Sequence, residues 1–260
     1  MPWDPVQYLS FDSERLRPAL DLLARIPLEA PETVVDLGCG PGHIAKLLKI
    51  RWPRARVVGV DHSPEMLQRA VEAGPELEWQ QADLGQWRPD RLVDVIYANA
   101  SLHWLDGHES LFPRLMTSLK PGGFLAVQMP CNHDRPSHLA AFEVAEGGPW
   151  RERLRPILRK HPVAKPEAYL RWLTPLAHQV DLWQTDYLHC LEGSDAVATW
   201  TGGSLLVPLL EALDEEERAG FLEAYRRRLR AAYPQDTDGH TAFWFRRLFI
   251  LAQARRPSAG

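Results

Sequence analysis

Hydrophobic and polar positions along this chain follow two alternating rhythms. Short apolar runs read as strands: Val34-Val35-Asp36-Leu37, Val57-Val58-Gly59-Val60-Asp61, Leu77 to Asp83, Leu92 to Ala98, and Phe124 to Met129. Between them apolar residues recur at helical spacing, as in Ala19, Leu22, Leu23 and Ile26 after Pro18, and again in Ile44, Leu47 and Leu48. Ser63-Pro64 supplies an N-cap and a first helical residue, and a further helix near 108–119 runs into a Lys120-Pro121-Gly122-Gly123 turn. Strands that alternate with helices predict a doubly wound, mostly parallel α/β sheet. Ligands of such sheets sit at the carboxyl ends of the strands, and Asp36, Asp61, Asp83 and Asn99 all fall at or just after a predicted end.

From Cys131 to about His178 the strand rhythm stops, and helical patches at 137–146, 150–161 and 166–177 are punctuated by prolines. Val180 to Leu188 alternates as a sixth strand, a second helical block covers 194–233, and Phe243 to Leu251 completes a sheet of seven. In that block Asp214 and Glu217 have capping-box spacing ahead of an apolar face of Phe221, Leu222, Tyr225 and Leu229. The expected division is a core of 1–130, 179–192 and 241–254, with 131–178 and 193–240 as a helical cap over the substrate. Alternation gives each face of the last strand one arginine, Arg246 or Arg247, among apolar neighbours. A buried guanidinium needs an anionic partner, either a carboxylate of the protein or one of the substrate.

The turn Gly38-Cys39-Gly40-Pro41-Gly42 joins the first strand to its helix. Glycines there let the backbone approach a ligand, and the helix start adds unpaired N–H groups and a positive dipole end. A dinucleotide loop would carry a third glycine where this chain has His43. The carboxylate of Asp36 would repel a pyrophosphate and attract an α-ammonium. Asp61, 19 residues after Gly42, is placed for ribose hydroxyls. S-adenosyl-L-methionine, with an ammonium and a ribose but no phosphate, suits this set. A nicotinamide cofactor and a purely structural turn are the alternatives.

Composition narrows the rest. A chain of 260 residues with 45% hydrophobic and 25% charged residues is ordinary for a globular protein, and a net charge of −4 argues against a nucleic-acid partner. No run approaches the roughly 18 apolar residues of a spanning helix, and no basic-then-apolar leader opens the chain. Cys39, Cys131 and Cys190 lack ligand spacing, so neither a disulfide scaffold nor a metal site is expected and the cytoplasm is the natural compartment. Nothing in the sequence speaks to oligomeric state.

Several stretches together resemble the class I S-adenosylmethionine-dependent methyltransferases, and within them the trans-aconitate 2-methyltransferases. They are Glu14 to Ala19, Leu22 to Arg25, Asp36 to Gly42, Ala98 to Leu105, Leu125 to Pro130 and Arg247 to Ile250. The resemblance implies a Rossmann-like methyltransferase core. It implies that Asp36, Gly38, Cys39, Gly40 and Gly42 hold the methionine end, Asp61 the ribose, and Asp83 with Leu84 the adenine, with His62, Ser63 and Met66 also binding the cofactor. Asn99, Ala100, Ser101 and Leu102 would line the transfer side. It further implies a small polycarboxylate acceptor esterified on one carboxylate, with trans-aconitate the leading candidate. The family's Thr-Gly-Leu-Arg-Pro appears here as Ser204-Leu205-Leu206-Val207-Pro208, without its arginine.

A carboxylate is already ionised at neutral pH and needs no general base, so no catalytic residue is expected; proximity and orientation carry the rate. Carboxylate clamping calls for arginine, histidine, tyrosine or amide donors. The candidates are Tyr8, His103, Asn132, Trp200, Tyr225 and Arg247, with packing as the competing role for most of them. Two other readings are a methyltransferase of another small acceptor, such as the carboxylate of a malonyl thioester, and a protein that binds the methyl donor without transfer.

Overall fold

A computed structural model describes residues 16–159 and 161–256. Tyr8 and most of the aromatic arm lie outside the described residues. In chain order the elements are α1 (Arg17–Ala24), β1 (Thr33–Leu37), α2 (His43–Arg51), β2 (Arg56–Asp61), α3 (Pro64–Ala73), β3 (Glu78–Gln81) and β4 (Val93–Asn99). Then come α4 (His108–Thr117), β5 (Leu119–Pro130), α5 (Pro136–Gly147), α6 (Arg151–Leu154), α7 (Pro166–Leu173) and β6 (Ala177–Glu192). The series ends with α8 (Ala196–Gly202), α9 (Val207–Glu211), α10 (Glu215–Ala232) and β7 (His240–Ala254).

The seven strands form one sheet in the order β3-β2-β1-β4-β5-β7-β6. β1 pairs in parallel with β2 and β4, β4 in parallel with β5, and β7 runs antiparallel to β5. Strand order reverses at β1, so the crevice past the ends of β1 and β4 is the switch point where such folds take ligands. The central strands are buried on both faces, which explains their near-continuous apolar runs: Val34, Leu37, Val60, Val95, Ile96, Leu125 and Val127 are all fully covered.

Two local expectations are corrected. β3 stops at Gln81, so Asp83 lies two residues past the strand rather than at its end. There its Oδ1 accepts the Gly85 N–H at 2.8 Å and its carbonyl accepts from Gln86 and Trp87, a turn chemistry that ends the strand early. Lys120 to Gly123 is an irregular beginning of β5 rather than a turn ahead of it. The pairing register shifts between Val93 and Val95, and Gly122 takes φ +81°.

The chain divides into two compact units. The first comprises the described parts of Met1–Pro130, Pro162–Gln184 and Arg247–Gly260; the second comprises Cys131–His161 and Thr185–Arg246. Set beside the expected division, 162–178 fall in the first unit, where α7 packs on α4, while 185–192 and 241–246, expected in the core, fall in the second. The Tyr169 ring lies 4.8 Å from that of Phe112, and its hydroxyl is 2.7 Å from His108 Nδ1.

The second unit has its own apolar core, including Val144, Leu154, Leu206, Phe221, Leu229 and Phe243. α10 starts with the expected capping box: Asp214 Oδ1 accepts the Glu217 N–H at 2.9 Å, and the Glu217 carboxylate accepts the Asp214 N–H at 3.2 Å. Its arginines lie on the solvent side, with Arg230 forked onto Asp195 and Arg228 beside Glu143.

Candidate active site

Each glycine of the turn has a different reason to be glycine. Gly38 (φ +86°) lies against the Ser101 side chain, and a Cβ there would collide with it. Gly42 (φ +84°) caps α2, and a Cβ would come 2.5 Å from the Trp79 ring. Gly40 (φ +52°) faces open space, with nothing within 4 Å of where its Cβ would stand. Packing dictates the outer two; at the middle one no described residue crowds the backbone.

Asp61 shapes that loop. Its Oδ2 accepts the Gly40 N–H at 2.8 Å and its Oδ1 the Ser63 N–H at 3.0 Å. A carboxylate has about four lone-pair positions, so capacity remains for hydroxyl donors. His62 is well exposed, Ser63 Oγ caps α3 by accepting the Met66 N–H at 3.2 Å, and Met66 is exposed on the first turn of α3. Asp83 is exposed, whereas Leu84 is buried beside Gly38. Cys39 is buried, and burial, helped by the neighbouring Asp36 and Asp61 carboxylates, pushes its thiol well above the usual range. At neutral pH it is therefore a protonated thiol.

Asp36 is 1% exposed, and among the described residues its Oδ2 has no hydrogen-bond partner. Burial raises its pKa from 3.8 to about 7, against the lowering bond from the Ala45 backbone N–H and with a smaller push from Asp61. A half-protonated buried acid with an idle oxygen suits a cationic ligand. Asn99 adds a second buried and unpartnered oxygen, Oδ1. Ala100 has φ +52°, a left-handed conformation rare outside glycine, and Ser101 Oγ donates to the Leu37 carbonyl at 2.7 Å, tying the end of β4 to the glycine turn.

Strand register gathers these residues on one face. Asp36 is opposite Gly59 and Tyr97; two residues further along, Asn99 is opposite Gln128, which in turn is opposite Phe249. Pro130 is opposite Arg247. Side chains alternate with period two, so Asp61, Asp36, Asn99, Gln128, Phe249 and Arg247 share a face near the carboxyl ends of the parallel strands. Gln128, which sequence reasoning left out of the site, is 1% exposed, and neither amide atom has a partner. The available signal was a lone amide in an otherwise apolar strand.

The acceptor-side candidates fare unequally. Arg247 is 7% exposed, on the shared face. His103 sits in the short 3-10 turn after β4, its ring 4.8 Å from that of Trp104. Arg246, on the opposite face of β7, pairs with Asp186 (Nε to Oδ1, 3.0 Å) and is a structural arginine.

Three candidates lie in the second unit, each with a partner there. Asn132 donates to the Arg246 carbonyl (3.0 Å) and accepts the Arg246 N–H (2.7 Å), which occupies its amide oxygen and nitrogen as a backbone latch. Tyr225 is fully buried, its hydroxyl donating to the Ser137 carbonyl and bonded to Thr201 Oγ1, each at 3.0 Å. Trp200 lies against the His189 ring at 4.6 Å. Among the described residues no cluster suits a metal ion, and no helix is long and apolar enough to cross a membrane.

Comparison with known proteins agrees with this geometry. The methyltransferase domain family matches residues 8–182. A trans-aconitate 2-methyltransferase of Azoarcus sp. (strain BH72) is 49% identical over 96% of this chain and 98% of its own length. One from Paracidovorax citrulli is 46% identical over the same shares. The chain belongs to the S-adenosylmethionine-dependent methyltransferases. It is closely related to the trans-aconitate 2-methyltransferases, and its seven-stranded sheet is the Rossmann-like methyltransferase fold. A solved structure of similar fold, the YcgJ protein of Bacillus subtilis, superposes with a TM-score of 0.57 at 17% identity and covers 92% of this methyltransferase and 97% of that chain.

Proposed function

We propose that this methyltransferase esterifies one carboxylate of a small polycarboxylic acid, with trans-aconitate the leading acceptor. The observation that carries the donor half is the buried Asp36 oxygen, without a partner among the described residues, on the strand that leads into the glycine turn. In this reading Asp36 holds the ammonium of S-adenosylmethionine, Asp61 its ribose, and Leu84 with Asp83 its adenine. When bound, the donor supplies a sulfonium methyl group: an acceptor oxygen's electron pair forms the O–C bond, the S–C pair stays on sulfur, and the products are a methyl ester and S-adenosylhomocysteine.

The residues' task is to bind and orient. The acceptor carboxylate is already the nucleophile, so no proton has to move and no general base is assigned. Bringing oxygen and methyl carbon into line is the principal source of rate. Names of the relatives support trans-aconitate as acceptor, and Arg247 supports an anion on the β7 side, since a planar guanidinium matches a carboxylate in two bonds.

The test measures methyl ester formation from trans-aconitate by wild type and Arg247→Ala, with S-adenosylhomocysteine affinity measured in parallel. Loss of a charge-assisted bond of about 1.5–3 kcal/mol lowers kcat/KM roughly 10- to 100-fold, while cofactor affinity holds. Ester formation at full efficiency by Arg247→Ala would return Arg247 to a structural role. Absence of any ester from the wild type would refute the acceptor.

A further inference from the structure

Gln128 stands in β5 between Val127 and Met129, both fully buried, and is itself 1% exposed with its Oε1 and Nε2 unpartnered. An amide shut away from water without a bond bears its full desolvation cost, and a strand covered on both faces favours leucine or valine there. A polar side chain kept under those terms, on the ligand-facing side of the sheet, is a binding group waiting for its partner. The residues assigned to the donor lie on or just after β1, β2 and β3 and at the tip of β4. Gln128 is two strand spacings from β1, about 10 Å laterally. It is on the acceptor side.

We propose that Gln128 positions the reacting carboxylate of the acceptor, its Nε2–H donating to the oxygen that does not attack, while Arg247 takes a carboxylate that does not react. This rests on the carboxyl-methylation reading above. The division follows from charge. The reacting carboxylate enters as an anion and leaves as a neutral ester, so its charge is falling in the transition state. A guanidinium on it binds the ground state more tightly than the transition state, and such binding slows the chemical step. A neutral amide donor carries no formal charge, so it loses less attraction than a guanidinium as the carboxylate's charge falls. On a bystander carboxylate the charge persists throughout, and there a cation tightens substrate and transition state alike. β7 places Arg247 two residues from Phe249, the neighbour of Gln128, on the same face. The remaining acceptors, Gln128 Oε1 and Asn99 Oδ1, suit the positive side of a sulfonium donor rather than a second carboxylate.

The experiment compares wild type, Gln128→Leu, the shape-conserving Gln128→Met, and Arg247→Gln on trans-aconitate and a monocarboxylic analogue. It reads kcat/KM, S-adenosylhomocysteine affinity by calorimetry, and Tm of the free protein. Both Gln128 variants lower kcat/KM about 10- to 100-fold for the two acids alike. They leave nucleoside affinity within about twofold and keep or raise Tm, because an unpartnered buried amide has gone. Arg247→Gln weakens the polycarboxylate alone. A merely structural Gln128 would lower Tm or nucleoside affinity together with rate, and that pattern overturns the proposal. So does a kcat/KM within twofold of wild type in both Gln128 variants. A wild type that methylates neither acid overturns the function reading and this inference with it; an active wild type with indifferent Gln128 variants overturns this inference alone.

Discussion

Asp36 stands next to the last residue of β1, just before the glycine turn, as a buried acid whose charge depends on what it faces. In the free protein it keeps a proton up to about pH 7, whereas the unfolded chain releases it near 3.8. The folded state therefore binds more protons between those values, and this group's contribution to stability falls as pH rises from about 4 to 7, then levels off. An ammonium at Oδ2 reverses the preference, so S-adenosylhomocysteine binding below pH 7 expels a proton. Its affinity should rise with pH, approaching tenfold per unit well below 7, and flatten above. In Asp36→Asn the slope disappears, affinity at pH 8 drops roughly 10- to 100-fold, and Tm of the free protein does not fall. Calorimetry across pH 5.5–8.5 checks all but the last, which a thermal melt reads. Gly38 makes a separate prediction: Gly38→Ala pushes a Cβ into Ser101 at a positive φ. It should cost at least about 2 kcal/mol in urea titration.

Among the elements, those with strong local signals were legible in the sequence and those defined by distant contacts were not. Ser63-Pro64 and Asp214-x-x-Glu217 announced their helices because a cap is a contact within four residues. Asp214→Ala should accordingly cost the second unit about 1 kcal/mol, measured by chemical denaturation. β3 was overrun by two residues because Asp83 bonds its own turn, a choice invisible to alternation. Gln128 escaped notice because a buried amide and an exposed strand-end amide look alike in one sequence.

The His133 cluster at the start of α5 was equally hidden. Its ring lies 5.8 Å from that of His138 and 6.3 Å from that of His161. Burial, with His161 and Arg159 adding repulsion and Asp134 opposing it, depresses the His133 pKa to about 4. His138, buried beside it, falls to about 3. Both contribute stability that is complete above about pH 6.5 and is lost as pH falls toward 4 and then 3. Acid titration followed by the fluorescence of Trp150 and Trp200 should show the second unit loosening across that window, and His138→Phe should move the transition to lower pH.

For the molecule as a whole, the doubly wound, mostly parallel sheet followed from periodicity alone, as did the placing of Asp36, Asp61 and Asn99 near strand ends, whereas the strand order did not. The grouping of 162–178 with the first unit did not, because it rests on Tyr169 reaching back to His108 and Phe112 across about 60 residues of chain. The acceptor is the most consequential assignment. Incubating the wild-type protein with labelled S-adenosylmethionine and an equimolar mixture of trans-aconitate and a malonyl thioester, then separating the products by mass, tests it directly. The account predicts label in an alkali-labile monomethyl ester of trans-aconitate with matching S-adenosylhomocysteine; label on the thioester, or in neither acid, would contradict it.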